Sequence, residues 1–144
     1  MLFRSLAVTT DGIIQSYQVP AGTVNVPGKR CVLRGVKISS YVQTALTGGG
    51  YVAQYALAFG HTNVSLATTE SATSKAPRRI PLGIHAVASG AVANTLLGEI
   101  WLDLGDAPVY VNPGEFIQIA RKKVGAAPTA GTIAHTIAFV YGWE

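Results

Sequence analysis

Charge is what this sequence has least of. Only 12% of its 144 residues are Asp, Glu, Lys or Arg, about half the ~25% usual in globular domains. None of the four occurs from Ile38 to Thr69, from Ile80 to Gly98, or from Val124 to Trp143. Thr, Ser, Asn, Gln and Gly must cover the exterior instead. Such a surface costs little to desolvate, which suits repeated contact with other subunits better than life as a solitary molecule. Cysteine is nearly absent as well: a lone Cys31 excludes an internal disulfide and any CxxC pairing, and in its strand it reads as a buried thiol. No apolar run reaches the ~18 residues of a membrane helix, and the opening MLFRSLAVTTDG reads as too short and too polar for a signal peptide.

What charge there is gives a formal +4 and a pI near 9.4. The cations gather at Lys29, Arg30, Arg34 and Lys37, at Arg78 and Arg79, and at Arg121 to Lys123, while most acids lie between Glu99 and Glu115. This is a modest dipolar distribution and not a nucleic-acid tail.

Period-two patterning dominates the chain. In TIAHTIAFVYGW the large residues Ile133, His135, Ile137, Phe139, Tyr141 and Trp143 alternate with small ones, as a strand between two packed layers requires. YVAQYALAFG repeats this with Tyr51, Tyr55, Leu57 and Phe59, and EIWLDL sets Ile100, Leu102 and Leu104 against Trp101 and Asp103. Further strands are read at IIQSYQV, VLRGVKISSYV, IPLGIHAVA and on both sides of the turn in PVYVNPGEFIQIARKK. The breaks are turn chemistry. Val26-Pro27-Gly28-Lys29 and Asn112-Pro113-Gly114-Glu115 each place Pro second and Gly third, the type II signature, and VNVPGKRCVL and VYVNPGEFIQ hint at two related corners.

The expected fold is therefore all-β: one domain over residues 1–144, an eight-stranded antiparallel sandwich with the jelly roll favoured. An up-and-down barrel or an immunoglobulin-like sandwich is the alternative. The hydroxyl-rich segment His61 to Arg79 lacks alternation and reads as a long loop, or a short helix near Leu66 to Thr73, poised for contact.

A search for chemistry returns little. His61, His85 and His135 show no metal-ligand spacing, and the HxH plus Glu of a metal-binding cupin is missing. His135 reads as a core or interface histidine. Glu99, Asp103 and Asp106 read as a solvated strand face, and no nucleophile elbow, dinucleotide fingerprint or phosphate loop occurs. No enzyme activity, cofactor or metal is expected. A basic track of Lys29, Arg30, Arg34 and Lys37 with stacking on Tyr51 or Tyr55 would suit nucleic acid. The small net charge weighs against it, and these cations are set instead to pair with acids. The stronger contact candidates are Arg78 and Arg79, stiffened by Pro77 and Pro81, with Lys29, Arg30, Arg34 and a water- or partner-facing Glu115.

The segments ATTESATSKAPRRIPLG, PVYVNPGEFIQIARK and the ending VYGWE, in that order, resemble a family of small virion structural proteins of tailed bacteriophages. The resemblance covers roughly residues 60 to 144. It implies a β-sandwich assembling as a symmetric oligomer, a trimer in the first instance, that decorates a capsid and binds the major capsid protein or another virion protein. Its expected place is the virion, assembled in the host cytoplasm, with no membrane. A carbohydrate- or receptor-binding module of a virion is the rival, with Trp101 and Trp143 as its candidate aromatics.

Overall fold

The computed structural model describes residues 2–7, 12–62 and 78–144. Nine strands build it: β1 (Leu2–Ala7), β2 (Gly12–Gln18), β3 (Cys31–Thr47), β4 (Tyr51–Phe59), β5 (Arg78–Val87), β6 (Leu96–Asp103), β7 (Val109–Val111), β8 (Phe116–Lys123) and β9 (Ala130–Trp143). They form two antiparallel sheets, one ordered β1-β9-β3-β6 with β7 also on β3, the other β2-β8-β4-β5. The fold is a β-sandwich, as the alternation requires. Among consecutive strands only β4 and β5 pair with each other, which excludes the up-and-down barrel. Among the described residues there is no helix. The helical alternative at Leu66 to Thr73 lies outside the described residues.

Nine strands replace the expected eight for two reasons. Patterning gives no signal for β1, which pairs along Thr132 to Ile137 of β9. In the other direction, β6 and β7 occupy the same edge of β3, with Gly35 opposite Asp103 and Leu33 opposite Val109. They are one edge strand interrupted at residues 104–108, and Leu104 N still donates to Arg34 O at 2.9 Å across the break. A bulge in β3 between Leu33 and Gly35 absorbs the mismatch there.

The core lies between the sheets. Leu33, Val36, Ile38 and Val42 of β3 meet Leu57 of β4 and Ile117 and Ile119 of β8, all essentially without solvent exposure. Each such side chain contributes roughly 1.5–3 kcal/mol of burial. Tyr51, Tyr55, Leu57 and Phe59 face inward as their spacing demands, and Cys31 is a buried free thiol. Because Tyr51 and Tyr55 are core residues, neither offers a face for base stacking.

One inward residue is a cation. Ile117, Ile119 and Arg121 share a parity on β8, so the pleat carries Arg121 into the interior, where it is 2% exposed. Its guanidinium carbon lies 6.0 Å from the Tyr51 ring centroid. A polar layer surrounds it. The Tyr51 and Tyr55 hydroxyls are 3.0 Å apart, and His85 and His135 meet the Tyr55 ring edge-on at 5.1 and 5.6 Å. Desolvation, then the nearby Arg121 and His85, depresses His135 to a pKa of about 3, and burial also lowers His85. Both histidines are core groups held neutral.

Candidate functional site

The two Pro-Gly segments meet at one end of the sandwich. Asn112-Pro113-Gly114-Glu115 carries the chain from β7 in one sheet to β8 in the other, so it is a corner and not a hairpin. Gly114 takes φ of 83°, as the turn type demands. The second segment behaves differently. Gly28 has no positive φ, and the tight turn lies earlier, closed by reciprocal backbone bonds between Thr23 and Val26. Gly28 is needed for space: a Cβ there would sit 2.6 Å from Ala21 O and 2.7 Å from Pro113 Cβ. The corner at residues 112–115 is tied to Val19, just after β2, by Val19 N to Glu115 O at 2.9 Å and Gly114 N to Val19 O at 2.8 Å.

Glu115 also acts within its own turn: its carboxylate accepts from Asn112 N at 2.9 Å and from Asn112 Nδ2 at 3.2 Å. Arg78 and Arg79 differ from the loop reading: they open β5, opposite Phe59 and Ala58. Both are exposed, and the Arg78 guanidinium carbon lies 5.7 Å over the Phe59 ring. Lys29, Arg30 and Arg34 gather instead at the start of β3, in the other sheet, all exposed. Lys37 pairs with Glu99 at 2.8 Å, the cross-strand pairing the charge pattern called for.

Around Arg30 the structure assembles a surface that sequence reasoning did not foresee. Its guanidinium stacks 4.4 Å above the Tyr110 ring and bonds Glu144 Oε2 at 2.8 Å. On the opposite, inward face of the same sheet end, Tyr17 of β2 packs on Tyr141 of β9 at 6.2 Å, and Tyr141 meets Trp143 edge-on at 5.5 Å. Tyr110, Tyr141 and Trp143 are each between 41% and 48% exposed. Tyr, Trp and Arg are the residues enriched where proteins bind one another. The alternation that placed Tyr141 and Trp143 on the large face of β9 was correct; what it did not convey is that β9 outruns its neighbour.

That overrun defines the site. β1 begins with Leu2 opposite Ile137, whereas β9 continues to Trp143 against β3. Among the described residues no strand lies on the other side of Ala138 to Trp143. Beside the uncovered edge the sheets part to form a groove of about 330 Å³, lined by Gln15, Tyr17, Ile117, Phe139 and Tyr141 among others. Among the described residues no cluster of three His, Cys, Asp or Glu side chains is arranged to hold a metal ion. No known protein family matches this chain, and no curated protein or solved structure does so either.

Proposed function

We propose that this chain is a virion structural protein, a capsid decoration (cement) protein of a tailed bacteriophage that self-associates and fastens to the shell. The observation that carries the reading is the pair of aromatic clusters at one end of a sheet, Tyr17, Tyr141 and Trp143 on one face and Arg30 stacked on Tyr110 on the other, contact chemistry with no cluster among the described residues arranged to hold a metal ion. The strand order adds support. With β6 and β7 counted as one broken strand, the sheets β1-β9-β3-β6 and β2-β8-β4-β5 are read as a jelly roll, an architecture used in viral capsids. In this mechanism each subunit bridges neighbouring capsid proteins. Lys29, Arg34, Arg78 and Arg79 meet acidic shell surface, and a repeating lattice multiplies weak contacts through avidity. Co-sedimentation of the purified chain with capsid shells tests this: binding is expected, and a chain left wholly in the supernatant overturns it.

A specific observation favours the rival as well. Trp101 is 53% exposed and lies on the outer sheet face, where a Cβ on Gly35 would come within 3.1 Å of its ring. A flat aromatic platform of this kind suits a sugar ring. Tryptophan fluorescence that shifts on a glycan panel would select that reading over decoration.

A further inference from the structure

We propose that Lys37 and Glu99 form the hydroxyl-recognising half of a sugar site whose floor is Trp101, and that the site selects a neutral pyranose with two free adjacent hydroxyls. This deepens the glycan reading and rests on it, but stands apart from attachment to a shell.

The site lies on the outer face of the β1-β9-β3-β6 sheet. Ile38 of β3 and Ile100 and Leu102 of β6 pack into the core, so the pleat turns Lys37, Ser39, Glu99 and Trp101 outward together. Trp101 stands directly opposite Lys37, and Glu99 opposite Ser39. The indole does not stand away from the sheet. A Cβ on Gly35 would come within 3.1 Å of its Cη2 and 3.4 Å of its Cζ2, so the six-membered ring reaches over the bare backbone of the neighbouring strand. Gly35 has no positive φ, and its value here is the room it leaves for the ring. Seated this way and still 53% exposed, the indole offers an apolar surface fixed in place, which the C–H side of a pyranose can cover.

Beside the ring lies the polar half. Lys37 Nζ is 2.8 Å from Glu99 Oε1, and Ser39 Oγ donates to the same oxygen at 3.1 Å. Both partners are accessible, with side chains 41% and 59% exposed. An ammonium only donates and a carboxylate only accepts, whereas a sugar hydroxyl does both. Adjacent hydroxyls therefore match the pair: one accepts from Lys37 while its neighbour donates to Glu99. Directly opposite residues lie about 4.5–5.5 Å apart, and alternate residues of one strand about 6.6–6.8 Å, the span of one sugar ring. Bonding from Lys37 and then Ser39 holds the Glu99 carboxyl below its ordinary value, which keeps it an acceptor. Because cation and anion cancel, the pair gives an acidic sugar no net attraction. One ring and one ion pair make a weak site, and copies repeated on a virion surface would strengthen it through avidity.

NMR titration of the isotope-labelled full chain, read at the indole N–H signals of Trp101 and Trp143, tests the site, with Trp101→Phe assigning the signals. The probes are the methyl β-D-glycosides of glucose, galactose and mannose, with methyl β-D-glucuronide as the acidic counterpart. At least one neutral glycoside should shift the Trp101 signal saturably and leave Trp143 unmoved. The glucuronide should bind at least about tenfold more weakly. Glu99→Gln and Lys37→Met should each weaken binding by at least about tenfold, with backbone amide signals away from the face unchanged. Binding at Trp101 that either variant leaves intact, or a glucuronide bound as tightly as the neutral sugars, overturns the proposal and leaves the glycan reading standing. The glucuronide comparison needs no variant, so it holds even if a substitution disturbs folding. No shift at Trp101 with any neutral glycoside, or a shift at Trp143 alone, overturns both the proposal and the Trp101 platform.

Discussion

Ser40 and His135 stand opposite one another on the two longest strands, β3 and β9, with Ser40 Oγ 2.8 Å from His135 Nδ1 and His135 fully buried. This hydrogen bond fixes a neutral imidazole in the middle of the sandwich, next to Tyr55 and near Arg121.

A pH dependence of stability follows. His135 titrates near 3 when folded and near its ordinary 6.5 when unfolded, so between those values the unfolded chain binds the extra proton. Its contribution is fully present above pH 6.5 and is lost as pH falls toward 3. The slope is about 1.4 kcal/mol per pH unit for one such group, and His85, lowered by burial, acts in the same sense. Urea unfolding at pH 7 and pH 5 should show the parent chain weakened at the lower pH. A His135→Gln variant should lose less between the two.

The corner contact is a second test. Gly28→Ala places a methyl group against Ala21 O and Pro113 Cβ, both under 3 Å away, and overpacking of that kind costs roughly 1–3 kcal/mol. Gly90→Ala is a poor control because φ there is 79°. Gly142→Ala meets open space without a positive φ and should be near neutral. Thermal unfolding of the two alanine variants compares them directly.

Arg78 and Arg79 open an edge strand and are both exposed, with the Arg78 guanidinium over the Phe59 ring. Replacing both by Ala should leave thermal unfolding nearly unchanged, within about 0.5 kcal/mol as for most surface substitutions, while weakening attachment to capsid shells. Unchanged attachment would remove these arginines from the contact.

Much of this architecture was legible from alternation alone. The inward set of Tyr51, Tyr55, Leu57 and Phe59 and the buried thiol of Cys31 stand where period two puts them. Arg121 was legible in principle, since it continues the parity of Ile117 and Ile119, but its charge and its neighbours Lys122 and Lys123 draw the eye to a surface cluster. Gly28 could not be read from its motif: Pro-Gly signals a turn, whereas here the glycine leaves room for a second corner distant in sequence. The bonds of Glu115 to Asn112 could not be read from its motif either, because a carboxylate one residue after a turn can cap that turn as well as face water or a partner. The Arg30 cluster depends on β7 and the end of β9 pairing on either side of β3, a property of strand pairing that no local pattern encodes.

The measurement that bears most directly on the account is sedimentation of the purified chain with and without intact capsid shells, read as the fraction pelleted against added protein. A decoration protein saturates a fixed number of sites per shell and pellets with them. A chain that remains in the supernatant at every concentration contradicts the idea that its sparsely charged exterior is built for a viral lattice.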